Sequence, residues 1–186
     1  MKKWLLRASF GAAGVIALAV ASLTLMGLRD TAGLSTSSIE IDATPETVWP
    51  WIDQPDKFKQ WVSWVVSVES PNPDVKGVGR KSIVLMKEPS SPEPVRIETV
   101  LTDYAPPMRL SADVKFPGLF TGSQTYQLKG LEGGRTRVQL DSRIHYTTWI
   151  IRLFEPLGTP SATKKLDQDF AALKRLIEKT STTAAN

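Results

Sequence analysis

From Val62 to Tyr146, apolar and polar side chains alternate through six successive runs separated by turn residues; beyond Pro160 the apolar spacing changes to three and four. A period of two marks half-buried strands, and a period near 3.6 marks an amphipathic helix. The chain is therefore constrained to an antiparallel sheet with one apolar face, followed by a single terminal helix. Val62, Trp64, Val66 and Val68 form the first face, and "KGVGR" turns the chain into "KSIVLMK". Gly77-x-Gly79 lacks the third glycine and the following helix of a dinucleotide fingerprint, so it reads as a turn. "EPSSPEP" is a loop. Val95, Ile97, Thr99 and Leu101 make the next face, then Leu110, Ala112, Val114 and Phe116, then Gln124, Tyr126 and Leu128 up to a Gly133-Gly134 hairpin. In the last and longest strand Val138, Leu140, Ser142, Ile144 and Tyr146 share one side. Leu166, Phe170, Leu173 and Ile177 then define a helix that starts after Thr159-Pro160 and ends around Lys179, before a tail over 180–186 expected to be disordered. "TWIIRLFE", Thr148 to Glu155, reads as a separate helical turn ahead of Pro156.

The segment before these strands is punctuated by proline. Ile39 and Ile41 alternate with Glu40 and Asp42 as a brief strand. Thr44-Pro45 then supplies an N-cap residue with proline at the first helical position. Val48, Trp49 and Ile52 lie on one face of that helix, and Pro50, lacking a donor, kinks or ends it within two turns. Asp53 and Pro55 restart a second short helix ending near Trp61. "TAGLSTSS", over residues 31–38, reads as a linker, so the domain is expected to occupy residues 39–179.

The N-terminal residues 1–30 carry a membrane signal. Lys2, Lys3 and Arg7 precede an uncharged run of 21 residues from Ala8 to Leu28. As a helix this run would be about 31 Å long, close to the hydrocarbon thickness of a bilayer. Cations precede it, while Arg29 and Asp30 cancel behind it, an asymmetry that predicts a single-pass anchor in the cytoplasmic membrane with the domain outside. Ala19-Val20-Ala21 before Ser22 also fits a cleavage site, and cleavage after Ala21 would release an exported domain instead.

Composition removes several function classes. The formal charge is +4, but residues 1–33 hold four Lys/Arg and one acid, leaving 19 bases against 18 acids in the rest. No basic face for nucleic acid is expected from that balance. With no cysteine and one histidine, a zinc site and a Cys/His nucleophile pair have no donors, and neither a metal nor a cofactor is expected. At 186 residues, 41% of them hydrophobic, the chain has room for one domain and the extra segment.

"IEIDATPETVWPWIDQPDKFKQW" and "LDQDFAALKRLIE", joined by "DYAPPMRLS" at the entry to the middle strands, resemble the START / polyketide cyclase (SRPBCC) superfamily over residues 36–179. The resemblance implies an α+β helix-grip fold, a curved antiparallel β-sheet wrapped around a long C-terminal helix with a cavity between them. Here an N-terminal transmembrane helix would precede it. The two short helices would plug one end of the sheet. Trp49, Trp61, Trp64 and Phe170 would then contact a ligand or simply form core.

If the apolar parity of each strand faces inward, the polar residues sharing it are Thr99, Gln124, Tyr126, Ser142 and Tyr146. Glu98, Asp113, Asp141, Arg143 and His145 fall on the opposite parity, which makes His145 a solvated surface residue. An apolar cavity with a few hydroxyl and amide groups suits a noncatalytic carrier or sensor of a small hydrophobic molecule, such as a lipid, isoprenoid or aromatic. The alternative is a cyclase or dehydratase using Tyr126 or Tyr146 as a weak acid, with Asp103 or Arg109 at the rim. A third reading is a module that docks a protein through its sheet edge or "TWIIRLF".

Overall fold

The computed structural model describes residues 21–22, 33–87 and 92–184. Seven strands form one antiparallel sheet: β1 (Gly33–Ile41), β2 (Val65–Glu69), β3 (Lys81–Met86), β4 (Val95–Ala105), β5 (Arg109–Phe116), β6 (Phe120–Leu131) and β7 (Arg135–Tyr146). Helices α1 (Pro45–Asp53) and α2 (Pro55–Trp61) follow β1, and α3 (Trp149–Ala184) ends the chain. The strand order is β1-β7-β6-β5-β4-β3-β2, so the first strand is an edge beside the last. Register partners in such a ladder point to the same face. One row therefore runs Leu110, Tyr126 and Leu140, and the next runs Ala112, Gln124 and Ser142.

The core lies at one end of this face. Ile41, Leu110, Tyr126, Leu128, Val138 and Leu140 of the sheet pack against Val48, Trp49, Trp51 and Ile52 of α1, Trp61 of α2, and Phe170, Leu173 and Ile177 of α3. The prolines at the starts of α1 and α2 occupy positions where an N–H would be orphaned in any case. Pro50 lies inside α1, which ends one turn later when the Gln54 N–H bonds to the Pro50 carbonyl at 3.0 Å.

Several boundaries differ from the sequence expectation. β1 begins at Gly33, so residues 33–38, read as linker, are a strand paired with β7 from Ile144 to Gln139. Serine and threonine there hide the strand pattern, yet their backbone bonds and buried Ser37 fix it. α3 begins at Trp149 and continues through Pro156 and Pro160 as one helix. A proline removes its own intrahelical bond and crowds the preceding turn without obliging the chain to leave the helix. The helix also runs to Ala184, past the expected stop, with the Thr180 hydroxyl donating to the Leu176 carbonyl at 2.8 Å. β2 starts at Val65, and a bulge between Val65 and Ser67 turns Val66 to solvent, so Val66 leaves the inner face assigned to it.

The expected anchor, Ala8 to Leu28, lies outside the described residues apart from Ala21 and Ser22. Among the described residues no helix is long and apolar enough to cross a membrane.

Candidate functional site

The inner face of the sheet carries no Asp, Glu, Lys, Arg or His along the register rows from Val84, Ile97, Phe116, Phe120 and Tyr146 down to Leu128 and Val138. Its two ends differ in packing. Toward α1 and α2 it is sealed: Trp61 and Phe170 are 2% and 1% exposed with ring centroids 5.9 Å apart, and Phe58 meets Trp61 edge-on at 5.2 Å. Toward the β5–β6 turn the same face is only half-buried, through Thr99, Phe116, Phe120, Gln124, Ser142, Ile144 and Tyr146. There Phe120 lies edge-on between Phe116 at 5.7 Å and Tyr146 at 6.3 Å. α3 lies closest to β1, where it is clasped by Ser37 donating to Asp167, by Lys174 donating to the Glu40 carbonyl at 2.8 Å, and by Glu178 accepting from the Asp42 N–H at 3.0 Å.

The residues singled out from sequence thus divide. Trp49, Trp61, Tyr126 and Phe170 belong to the packed core, and the Trp61 indole N–H is satisfied by the Trp51 carbonyl at 2.8 Å. Trp64 is half-buried at the margin of that core. Gln124 and Ser142 are direct cross-strand partners, with Thr99 two strands from Gln124 and one row further from the core, and Tyr146 at the far end of β7. Asp103 and Arg109 form an ion pair with each other at 2.5 Å, with Asp103 turned from the inner face by a bulge between Leu101 and Asp103. His145 is exposed on the outer face.

Three features escape the sequence reading. Asp169 is buried on α3, where one oxygen accepts the Trp64 indole N–H at 2.8 Å and the other the Ser63 N–H at 3.2 Å. Burial, and secondarily the charge of Asp169, push the Tyr126 hydroxyl far above the ordinary tyrosine range. The β4 bulge also turns Tyr104 inward against Trp49, with ring centroids 5.8 Å apart. Its hydroxyl donates to Asp53 at 2.9 Å, and Asp53 is held by Arg80 at 2.6 Å. Desolvation first, and then this bond to Asp53, raise the Tyr104 pKa. Trp51 joins the core beside Trp49, and Lys57 lies 5.5 Å from the centre of its ring.

The outer face has its own groove, of 510 Å³, bordered by Glu98, Val100, Asp113, Lys115, Arg143 and His145. Along its border β6 and β7 approach closely at Gly122, where a Cβ would lie 2.2 Å from the Arg143 carbonyl oxygen. The charged set expected outside is therefore outside, and Glu98, Asp113, Arg143 and His145 of it border this groove. Among the described residues no three His, Cys, Asp or Glu converge as metal ligands.

A family model described as polyketide cyclase / dehydrase and lipid transport matches residues 34–178. No curated protein matches the chain. Among solved structures, a conserved protein from Geobacillus kaustophilus is similar at a TM-score of 0.65 and 16% identity, over 79% of this chain and 96% of that one. A protein of unknown function from Staphylococcus aureus follows at 0.62 and 16%, over 81% and 98%. A START superfamily protein from Mycobacterium smegmatis scores 0.59 at 13% identity, over 79% and 98%.

Proposed function

From the premise that this chain belongs to the polyketide cyclase / dehydrase and lipid transport family, we propose that it binds a small hydrophobic molecule without transforming it. The ligand lies on the half-buried part of the inner face. Ile97, Phe116, Phe120 and Tyr146 form its apolar floor, Thr99, Gln124 and Ser142 orient its polar end, and Trp64 borders it. The observation that carries this reading is the absence of charge from a sheet face that is solid at one end and only half covered at the other. Enclosing about 300 Å² of apolar ligand surface is worth roughly 7 kcal/mol before ordering costs, which suits micromolar binding without a charged anchor. Trp49, Trp61, Tyr126 and Phe170 support the floor from below.

The cyclase or dehydratase reading is less well supported. Tyr126 is shifted away from ready ionisation, and Asp103 and Arg109 neutralise each other away from the inner face. A catalytic acid or base works best with a pKa near the working pH. We further propose that the N-terminal run from Ala8 to Leu28 tethers the domain to the outer side of the cytoplasmic membrane.

Native mass spectrometry of the chain, released from membranes in copolymer discs, tests the binding. The expected result is a bound small molecule at one per chain, absent from a folded Ser142→Trp variant that fills the floor. A wild-type chain that carries nothing, and that takes up no fluorescent fatty acid, removes the proposal.

A further inference from the structure

The sheet has two ends, and the N-terminal segment joins the described domain at only one. β1 starts at Gly33, paired with Ile144 near the end of β7. Thr147, just beyond β7, bonds the Gly118 and Leu119 carbonyls of the β5–β6 turn, and the Arg152 guanidinium of α3 donates to the Tyr146 carbonyl at 3.0 Å. Gly33, the β5–β6 turn and the first turn of α3 are therefore gathered at one end, the half-buried end of the inner face. The apolar run ends at Leu28, five residues before Gly33. Even fully extended, that link spans at most about 18 Å.

This same end exposes large apolar side chains: Leu34 at 65%, Trp149 at 48% and Ile150 at 52%. Arg143 is the cross-strand partner of Leu34, and Arg152 follows Trp149 and Ile150 on α3. Tryptophan and isoleucine flanked by cations match the chemistry of a lipid headgroup boundary, where an aromatic ring sits at the interface and basic groups meet anionic lipid. We infer that Leu34, Trp149 and Ile150 form a membrane-contacting rim that seats the open end of the apolar floor on the bilayer to which the chain is tethered. The inference rests on the tethered reading given above, and adds an orientation to it: ligand passes between floor and lipid without crossing water. The opposite end also exposes apolar residues, Val78 and Met108, but the tether holds that end away from the membrane.

Because the chain has no cysteine, single nitroxide labels report orientation directly in the full chain reconstituted into phosphatidylethanolamine–phosphatidylglycerol vesicles. Labels at Leu34→Cys and Ile150→Cys are expected to show severalfold higher collision with oxygen, relative to an aqueous nickel chelate, than labels at Val78→Cys and Met108→Cys. Flotation with the vesicles is read in parallel. A chain that floats while its Ile150→Cys label is as water-accessible as its Met108→Cys label overturns the rim and leaves the tether standing. A chain that fails to float overturns both. Neither readout depends on the ligand, so loss of the binding proposal would be seen separately.

Discussion

Asp169 puts a carboxylate among side chains that otherwise exclude charge, and two donors hold it there: the Trp64 indole and the Ser63 amide. Replacing it with alanine strands both donors in a buried setting, so Asp169→Ala is expected to lose roughly 2–3 kcal/mol in urea unfolding, and Asp169→Asn less. Burial and this charge together keep Tyr126 protonated beyond the usual range. In the unfolded chain Tyr126 loses its proton near pH 10, about where free tyrosine does. Its contribution to stability is therefore complete below about pH 10 and declines as pH rises above it, because the folded state then holds the extra proton. Unfolding midpoints at about pH 9 and about pH 11 should converge in Tyr126→Phe relative to wild type. The position of Asp169 was legible in the sequence: it lies three residues after Leu166 and four before Leu173, on the helix's inner face. The aspartate's type concealed it, since charge on such a face is rare unless donors await it.

At the scale of elements, bulges decide which side chains reach the interior. One extra residue in β4 exchanges Asp103 for Tyr104 on the inner side, and one in β2 sends Val66 out. Strict alternation, read from sequence, holds for β5, β6 and β7, where register is continuous, and fails beyond each bulge because the period resets there. Gly122 is the matching feature in β6. Gly122→Ala would drive a methyl into the Arg143 carbonyl and into Ile144, so strands β6 and β7 must separate locally. The expected loss is about 1–3 kcal/mol, readable as a lowered thermal midpoint, and Gly118→Ala in the adjoining turn is the companion measurement for φ strain without contact. β1's first half was illegible for a different reason: its stability comes from pairing with β7 and from the α3 clasp, neither of which leaves a mark in "GLSTSS".

For the whole molecule, the succession of elements and the separation of a neutral inner face from a charged outer one followed from strand periodicity and the family resemblance, whereas the order of strands across the sheet is read from the structure. The extent of the half-buried part of the inner face did not follow from them, because it depends on where α3 packs, and α3 lies along β1. That order places the first strand beside the last. Glu40 of β1 receives Arg135 and Arg137 from β7, and the hydrogen bond from Arg137 leads in holding its carboxyl below the usual range. During refolding, pulse-labelled amide exchange is expected to protect β1 no earlier than β7, and earlier protection of Ile41 would contradict this. Partners about a hundred residues apart close slowly, since the intervening chain must be ordered first. Until β7 has formed, β1 has no neighbour in the sheet, so the first strand to leave the ribosome is the last that the ladder can admit.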